Sequence, residues 1–290
     1  MKGIEILEIL VIATIVACGP PPRQTGGDDD TGTDASAIVD GNNGCADGTE
    51  LVYVIDQFSA RLSQFDPQTK TFHDLGYLNC PTTSGATTFS MSVDRSANAW
   101  VLYSSGELFQ VAILNNLACT STTWHGASNL SVFGMGFSTD EPGGSTETLY
   151  VGGGLTQVQS SYTLAKIDTT TMSATPLGTE TQLPEMTGTG AAELWGYMPE
   201  ATTARIVKFD RTNGAIVQTF TEPTLGGTNT GYAFAQWGGD YWVFLIRNGE
   251  PSTNVYQVDG MTGAIKSTTP TTGRTIVGAG VSTCAPTVIL

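Results

Sequence analysis

Val207-Lys208-Phe209-Asp210-Arg211-Thr212-Asn213 is a β-rich run that ends in a large apolar residue, then Asp, then the makings of a tight turn. The same signature stands at Ser63-Gln64-Phe65-Asp66-Pro67-Gln68-Thr69, at Ala165-Lys166-Ile167-Asp168-Thr169-Thr170-Thr171 and at Tyr256-Gln257-Val258-Asp259-Gly260-Met261-Thr262. Asp opens a turn by accepting backbone N–H bonds, and Gly, Asn or Thr complete it. One carboxylate per repeat leaves any metal short of oxygen ligands. Asp66, Asp168, Asp210 and Asp259 are therefore read as turn formers, and no metal is expected.

Upstream of each signature lies a β-branched or aromatic run, at 51–56, 148–153, 193–198 and 241–246, with a further member at 99–104. Ahead of the later members stands a run that mixes small and large residues. These are Ser90-Met91-Ser92-Val93, Gly134-Met135-Gly136-Phe137, Glu185-Met186-Thr187-Gly188 and Ala233-Phe234-Ala235-Gln236, with a fifth, Gly278-Ala279-Gly280-Val281, near the C-terminus. Their starts are 44 to 51 residues apart. A multi-strand unit at that period reads as an all-β chain, the blades of a β-propeller, with small residues where innermost strands crowd the axis.

The first blade lacks an inner strand and the last inner strand lacks a blade. If 276–283 pairs beside 51–56, five four-stranded blades close into a ring and two exposed edges vanish. In the second blade Ala112 stands where the repeat has Asp, so its outer turn must differ. Four cysteines bear on the closure. Cys284 ends the innermost strand and Cys45 just precedes its neighbour, so Cys45–Cys284 would pin the seam. Cys80 and Cys119 then fall on outer strands of adjacent blades and should pair.

The N-terminus reads as an export signal over residues 1–17. Lys2 precedes an apolar run too short for a bilayer of ~30 Å, although Glu5 and Glu8 offset the positive start. Ile15-Val16-Ala17-Cys18 resembles a bacterial lipobox, with Cys18 as the lipidated residue. Residues 18–49 hold Pro20-Pro21-Pro22 and Asp28-Asp29-Asp30 and read as an extended acidic tether. The propeller would occupy 50–286, with 287–290 as a tail.

The 290 residues carry a net charge of −15, and only 13% are charged. Such a field repels phosphate backbones, so nucleic acid is not an expected partner. Only His73 and His125 are present, both in or near outer strands. No Cys-x-x-Cys, nucleophile elbow or phosphate loop occurs, and no cofactor or catalytic residue is assigned. Candidate binding residues at the funnel are Asp94, Arg95, Glu185, Gln236 and Trp237, a set that could orient and stack a sugar or peptide. The bland reading has Asp94 and Arg95 as a local pair and Trp237 as a wedge between blades. A rival reading places Asp94 and Glu185 across an open funnel as the carboxylates of a polysaccharide hydrolase or lyase.

The stretches Ile15-Val16-Ala17-Cys18, Phe58-Ser59-Ala60-Arg61-Leu62 leading into Phe65-Asp66-Pro67, Phe133-Gly134-Met135-Gly136-Phe137 and Ile276-Val277-Gly278-Ala279-Gly280-Val281-Ser282-Thr283-Cys284-Ala285-Pro286 resemble β-propeller lipoproteins of Gram-negative bacteria, an uncharacterised group. The resemblance transfers no activity. Gly19 after Cys18, by analogy with such lipoproteins, implies sorting to the outer membrane. The expectation is an exported, monomeric propeller, anchored to a membrane through its lipid, that binds a protein or glycan in the cell envelope.

Overall fold

A computed structural model describes residues 44–289 except 125, 127 and 128, all within one compact unit, Ala37–Leu290. The export segment, Cys18, most of the tether and His125 lie outside the described residues. Twenty strands form five antiparallel sheets of four. The second blade is β4 (Thr88–Val93), β5 (Asn98–Tyr103), β6 (Leu108–Ala112) and β7 (Ala118–Ser121), from the axis outward. The third is β8 (Val132–Thr139), β9 (Glu147–Gly154), β10 (Tyr162–Asp168) and β11 (Ser173–Glu180). The fourth is β12 (Glu185–Gly188), β13 (Leu194–Met198), β14 (Ala204–Phe209) and β15 (Ile216–Glu222). The fifth is β16 (Asn229–Trp237), β17 (Asp240–Arg247), β18 (Asn254–Asp259) and β19 (Ile265–Pro270).

The first blade takes β1 (Val52–Asp56), β2 (Arg61–Asp66) and β3 (Thr71–Tyr77) from the head of the ring and β20 (Ile276–Val281) from its tail. Val52 faces Val281, Tyr53 faces Gly280, Val54 faces Ala279 and Ile55 faces Gly278. Each innermost strand touches the next around the ring, with β20 meeting both β4 and β16. The chain is a five-bladed β-propeller.

Burial grades from axis to rim. Inner strands β8, β12 and β20 are buried at every position, whereas the outer β15 has no buried residue. Inner strands pack backbone against backbone: a Cβ on Gly134 would lie 2.2 Å from the carbonyl oxygen of Pro184. Large apolar side chains fill the wedges between blades. Phe65 of the first blade stands 5.3 Å from Trp242 and 5.4 Å from Phe244 of the fifth. Each such side chain contributes about 1.5–3 kcal/mol by leaving water.

The repeated Asp makes a shared turn. Asp168 accepts the amides of Thr170 and Thr171, Asp210 that of Thr212, and Asp259 those of Met261 and Thr262. Asp66 does the same with Gln68 and Thr69. The fourth residue after each Asp takes a left-handed backbone: Lys70, Met172, Gly214 and Gly263. In the second blade Ala112 pairs with Ala118, and both Asn116 and Leu117 are left-handed, so the turn is built differently where Asp is missing.

Cys45 and Cys284 are bonded, as are Cys80 and Cys119. Cys119 lies on β7, but Cys80 sits just past the end of β3 rather than on it, because its connection swings across to the second blade.

Candidate functional site

The five inner strands run the same way along the axis, so the ring has an entry mouth, where they begin, and an exit mouth, where they end. Register fixes depth. Glu185 begins β12 and lies beside Gly134, whereas Asp94 and Arg95 follow the end of β4 and Trp237 ends β16. The five sequence-derived candidates are therefore divided. Asp94, Arg95, Gln236 and Trp237 belong to the exit side, and Glu185 belongs to the entry side.

Asp94 is committed to its turn, accepting the amides of Ser96 and Asn98 at 2.9 Å and the indole N–H of Trp100 at 2.9 Å. Arg95 is buried and donates to Thr283 Oγ1 at 3.0 Å and to Cys45 Sγ at 3.3 Å, rather than pairing with Asp94. Trp237 packs in the wedge with Val52 and Trp242, and its indole donates to the Glu50 carbonyl. Gln236 is buried, and its backbone N–H donates to Thr187 Oγ1 at 3.2 Å.

The exit mouth also holds Glu147, absent from the sequence candidates. It accepts Thr283 Oγ1 at 2.6 Å and the Arg95 amide at 2.8 Å. Burial raises its carboxyl to about 7 against these hydrogen bonds, and the neighbouring charge of Asp94 adds to the rise. The cluster knits the second, third and closing blades beside the seam cystine.

Glu185 plugs the axis. Ser90 Oγ, from the second blade, donates to Glu185 Oε1, from the fourth, at 2.5 Å across the glycine-lined third. Burial drives the Glu185 carboxyl well above the usual range, against hydrogen bonds from Ser90 and the Met135 amide. Ser90 lies four strand residues before Asp94, about 13 Å along β4 at ~3.3 Å per residue. The two carboxylates proposed for hydrolysis therefore do not face each other, and no open funnel joins them.

Above Glu185 the entry mouth opens into a cavity of about 520 Å³. Thr88 and Phe89 of β4, Tyr232 of β16 and the connections around Gln57, Gln157, Gln182 and Glu200 surround it. Its wall is held in place. Tyr232 Oη donates to the Leu183 carbonyl at 3.1 Å, Arg247 Nε to that of Gly226 at 2.9 Å, and the Asn248 amide to that of Thr228 at 2.9 Å. Glu200 is taken by Arg205 Nε at 2.7 Å. The Asn229 Oδ1 acceptor is buried with no donor among the described residues. Val158, on the cavity edge, is 89% exposed, and Phe58 and Leu155 in the connections on the same side are also exposed. Apart from Glu185, no member of this site was a sequence candidate, because its residues lie in connections or at the starts of inner strands, outside the repeated signature.

No cluster of metal-ligating side chains occurs among the described residues, and no helix there is long and apolar enough to cross a membrane. No family model matches the chain, and no curated protein does. Among solved structures it is similar to a protein of unknown function from Bacteroides caccae, at 10% identity and a TM-score of 0.46, over 79% of this chain and 97% of that one. A luciferin-regenerating enzyme aligns at 8% identity and a TM-score of 0.47, over 79% and 75%. A mitotic checkpoint complex aligns at 11% and 0.39, over 91% and 76%. Likeness at this level carries no argument about chemistry.

Proposed function

We propose that this chain is an exported, lipid-tethered propeller that binds a ligand in the entry-mouth cavity and serves as a binding module of the cell envelope. The observation that carries the reading is the cavity itself. It is concave, pre-formed by hydrogen-bonded connections, closed below by Ser90 and Glu185, and bordered by exposed apolar side chains. Two disulfides fit an oxidising compartment. The described chain begins beside the exit mouth, where the Ala46 amide donates to the Arg95 carbonyl. A tether through Cys18 would thus enter the ring at the exit side.

The rival hydrolase or lyase reading required Asp94 and Glu185 together, and they lie at different depths. Pull-down from envelope extracts with the full chain, wild type against Gln182→Trp, tests the binding reading. Gln182 is half-buried on the cavity wall, so the bulky ring should remove the captured component. Equal capture by both proteins would move the binding surface elsewhere.

A further inference from the structure

The chemistry of the cavity wall narrows what it can hold. No Lys, Arg or His lines it. Of its two carboxyl groups, Glu200 is neutralised by Arg205 and Glu185 is buried beneath Ser90. The whole chain carries −15. A phosphate, sulfate or carboxylate ligand would enter an acidic protein without meeting one cation. A cationic ligand would find no uncommitted carboxylate.

What the wall does offer is amide and hydroxyl. Gln57, Gln157, Gln182 and Asn229 each carry a donor and an acceptor on one side chain, and Thr88 and Thr230 add hydroxyls. A sugar hydroxyl likewise donates and accepts, so each amide can answer one or two of them. Asn229 Oδ1 is a buried acceptor with no donor among the described residues, and a small turn of its side chain toward the cavity would let an incoming hydroxyl satisfy it. The half-buried rings of Phe89 and Tyr232 supply apolar faces of the kind a pyranose ring lies against.

Shape adds a further constraint. The mouth presents strand ends and connections, not a free strand edge, so an extended peptide has no backbone ladder to join. The Ser90–Glu185 floor closes the axis, so a polymer cannot thread the ring and a chain end is the part that can reach the floor.

We infer that the entry-mouth cavity recognises the terminal unit of an uncharged saccharide, held by Gln57, Gln182 and Asn229 and seated against Phe89 and Tyr232. This rests on the binding reading above and names its ligand class. The volume lies in the usual range for small-ligand sites, so affinity is concentrated on one or two sugar units rather than along a chain.

Titration calorimetry with the full chain tests it, using neutral gluco-, galacto-, manno- and xylo-oligosaccharides, uronic-acid oligomers and an uncharged peptide. At least one neutral oligosaccharide should bind. Its uronate counterpart and a form capped at the recognised end should bind at least tenfold more weakly. Asn229→Ala and Gln182→Ala should each weaken binding about tenfold or more, the second being a half-exposed position where folding is not at stake. Preference for the uronate, or neutral binding untouched by Gln182→Ala, overturns the saccharide assignment. If the peptide binds and Gln182→Trp blocks it, the saccharide assignment falls while the cavity reading stands. If no probe binds in a manner that Gln182→Trp changes, both fall.

Discussion

Arg274 reaches Asp56 at 3.3 Å across the seam of the ring, joining the connection that delivers the last strand to the sheet it completes. The same guanidinium donates to Ser63 Oγ at 3.1 Å and to Asp74, and it lies 4.5 Å from the centre of the Phe72 ring. The Thr275 amide donates to Asp56 Oδ1 at 2.9 Å. Closure is thus held at the entry side by a buried charge network and at the exit side by the Cys45–Cys284 bond.

Removing one partner of a buried ion pair leaves the other uncompensated, at a cost of about 3–5 kcal/mol. Arg61 also faces Asp56, at 3.0 Å, and softens that loss. Arg274→Met should therefore destabilise the fold by roughly 2–4 kcal/mol in urea unfolding. A change under about 0.5 kcal/mol would show that the network does not hold the seam.

The two cystines differ in the loops they close, with separations of 239 and 39 residues. In the loop-entropy model the longer one contributes about 1–2 kcal/mol more. A Cys45→Ser, Cys284→Ser double variant should lose more stability than the Cys80→Ser, Cys119→Ser pair. It should nonetheless keep its β-sheet circular dichroism, since β20 remains hydrogen-bonded to β1. Equal losses would argue against the entropic account.

Glu147 supplies a pH dependence. Burial raises its carboxyl in the folded chain to about 7, from an ordinary value near 4.5. The folded state therefore holds a proton that the unfolded state releases, and stability declines as pH rises through about 4.5 to 7. At about 1.36 kcal/mol per pH unit over that interval, the loss is at most about 3.4 kcal/mol. Thermal melts at pH 5 and pH 8 should show the decline, and Glu147→Gln should remove part of it. Glu185 acts in the same direction, so Glu185→Gln should raise stability at pH 8. An unchanged slope in Glu147→Gln would assign the dependence elsewhere.

The Asp turns make a local prediction. Gly263 closes its turn at φ +75°, and a Cβ there would lie 2.6 Å from Phe220 Cβ. Gly263→Ala should cost about 1–3 kcal/mol, from left-handed strain and from displacement of Phe220. Lys70 and Met172 take the same conformation at the equivalent place, so the turn tolerates a side chain where neighbours leave room. A neutral Gly263→Ala in a melt would contradict this.

The fold was legible because its signals are local and repeated. Asp66, Asp168, Asp210 and Asp259 each accept turn amides two or three residues further on, and the missing inner strand pointed to 276–283 by elimination. The site was not legible in the same way. Ser90 and Glu185 are 95 residues apart, and nothing in either segment marks the other as its partner. Membership of an inner strand alone does not bring Glu185 and Asp94 together, because the inner strands span the whole depth of the ring. Strand position would have separated them, since Glu185 heads its run while Asp94 trails its own. Gln57, Gln182 and Asn229 lie in or beside connections that vary from blade to blade, where no period exists to flag them.

Cys45 and Cys284 bring the two ends of the ring to within 6.0 Å of each other, Cα to Cα. Where the polypeptide starts is then almost arbitrary for the folded object. A short peptide linking the region of Cys45 to that of Cys284, with new termini cut into a connection between other blades, yields a circularly permuted chain that should rebuild the same five sheets. Such a rearranged molecule could carry its termini on any blade, so the point at which the ring is attached to a surface or a fusion partner becomes an engineering variable.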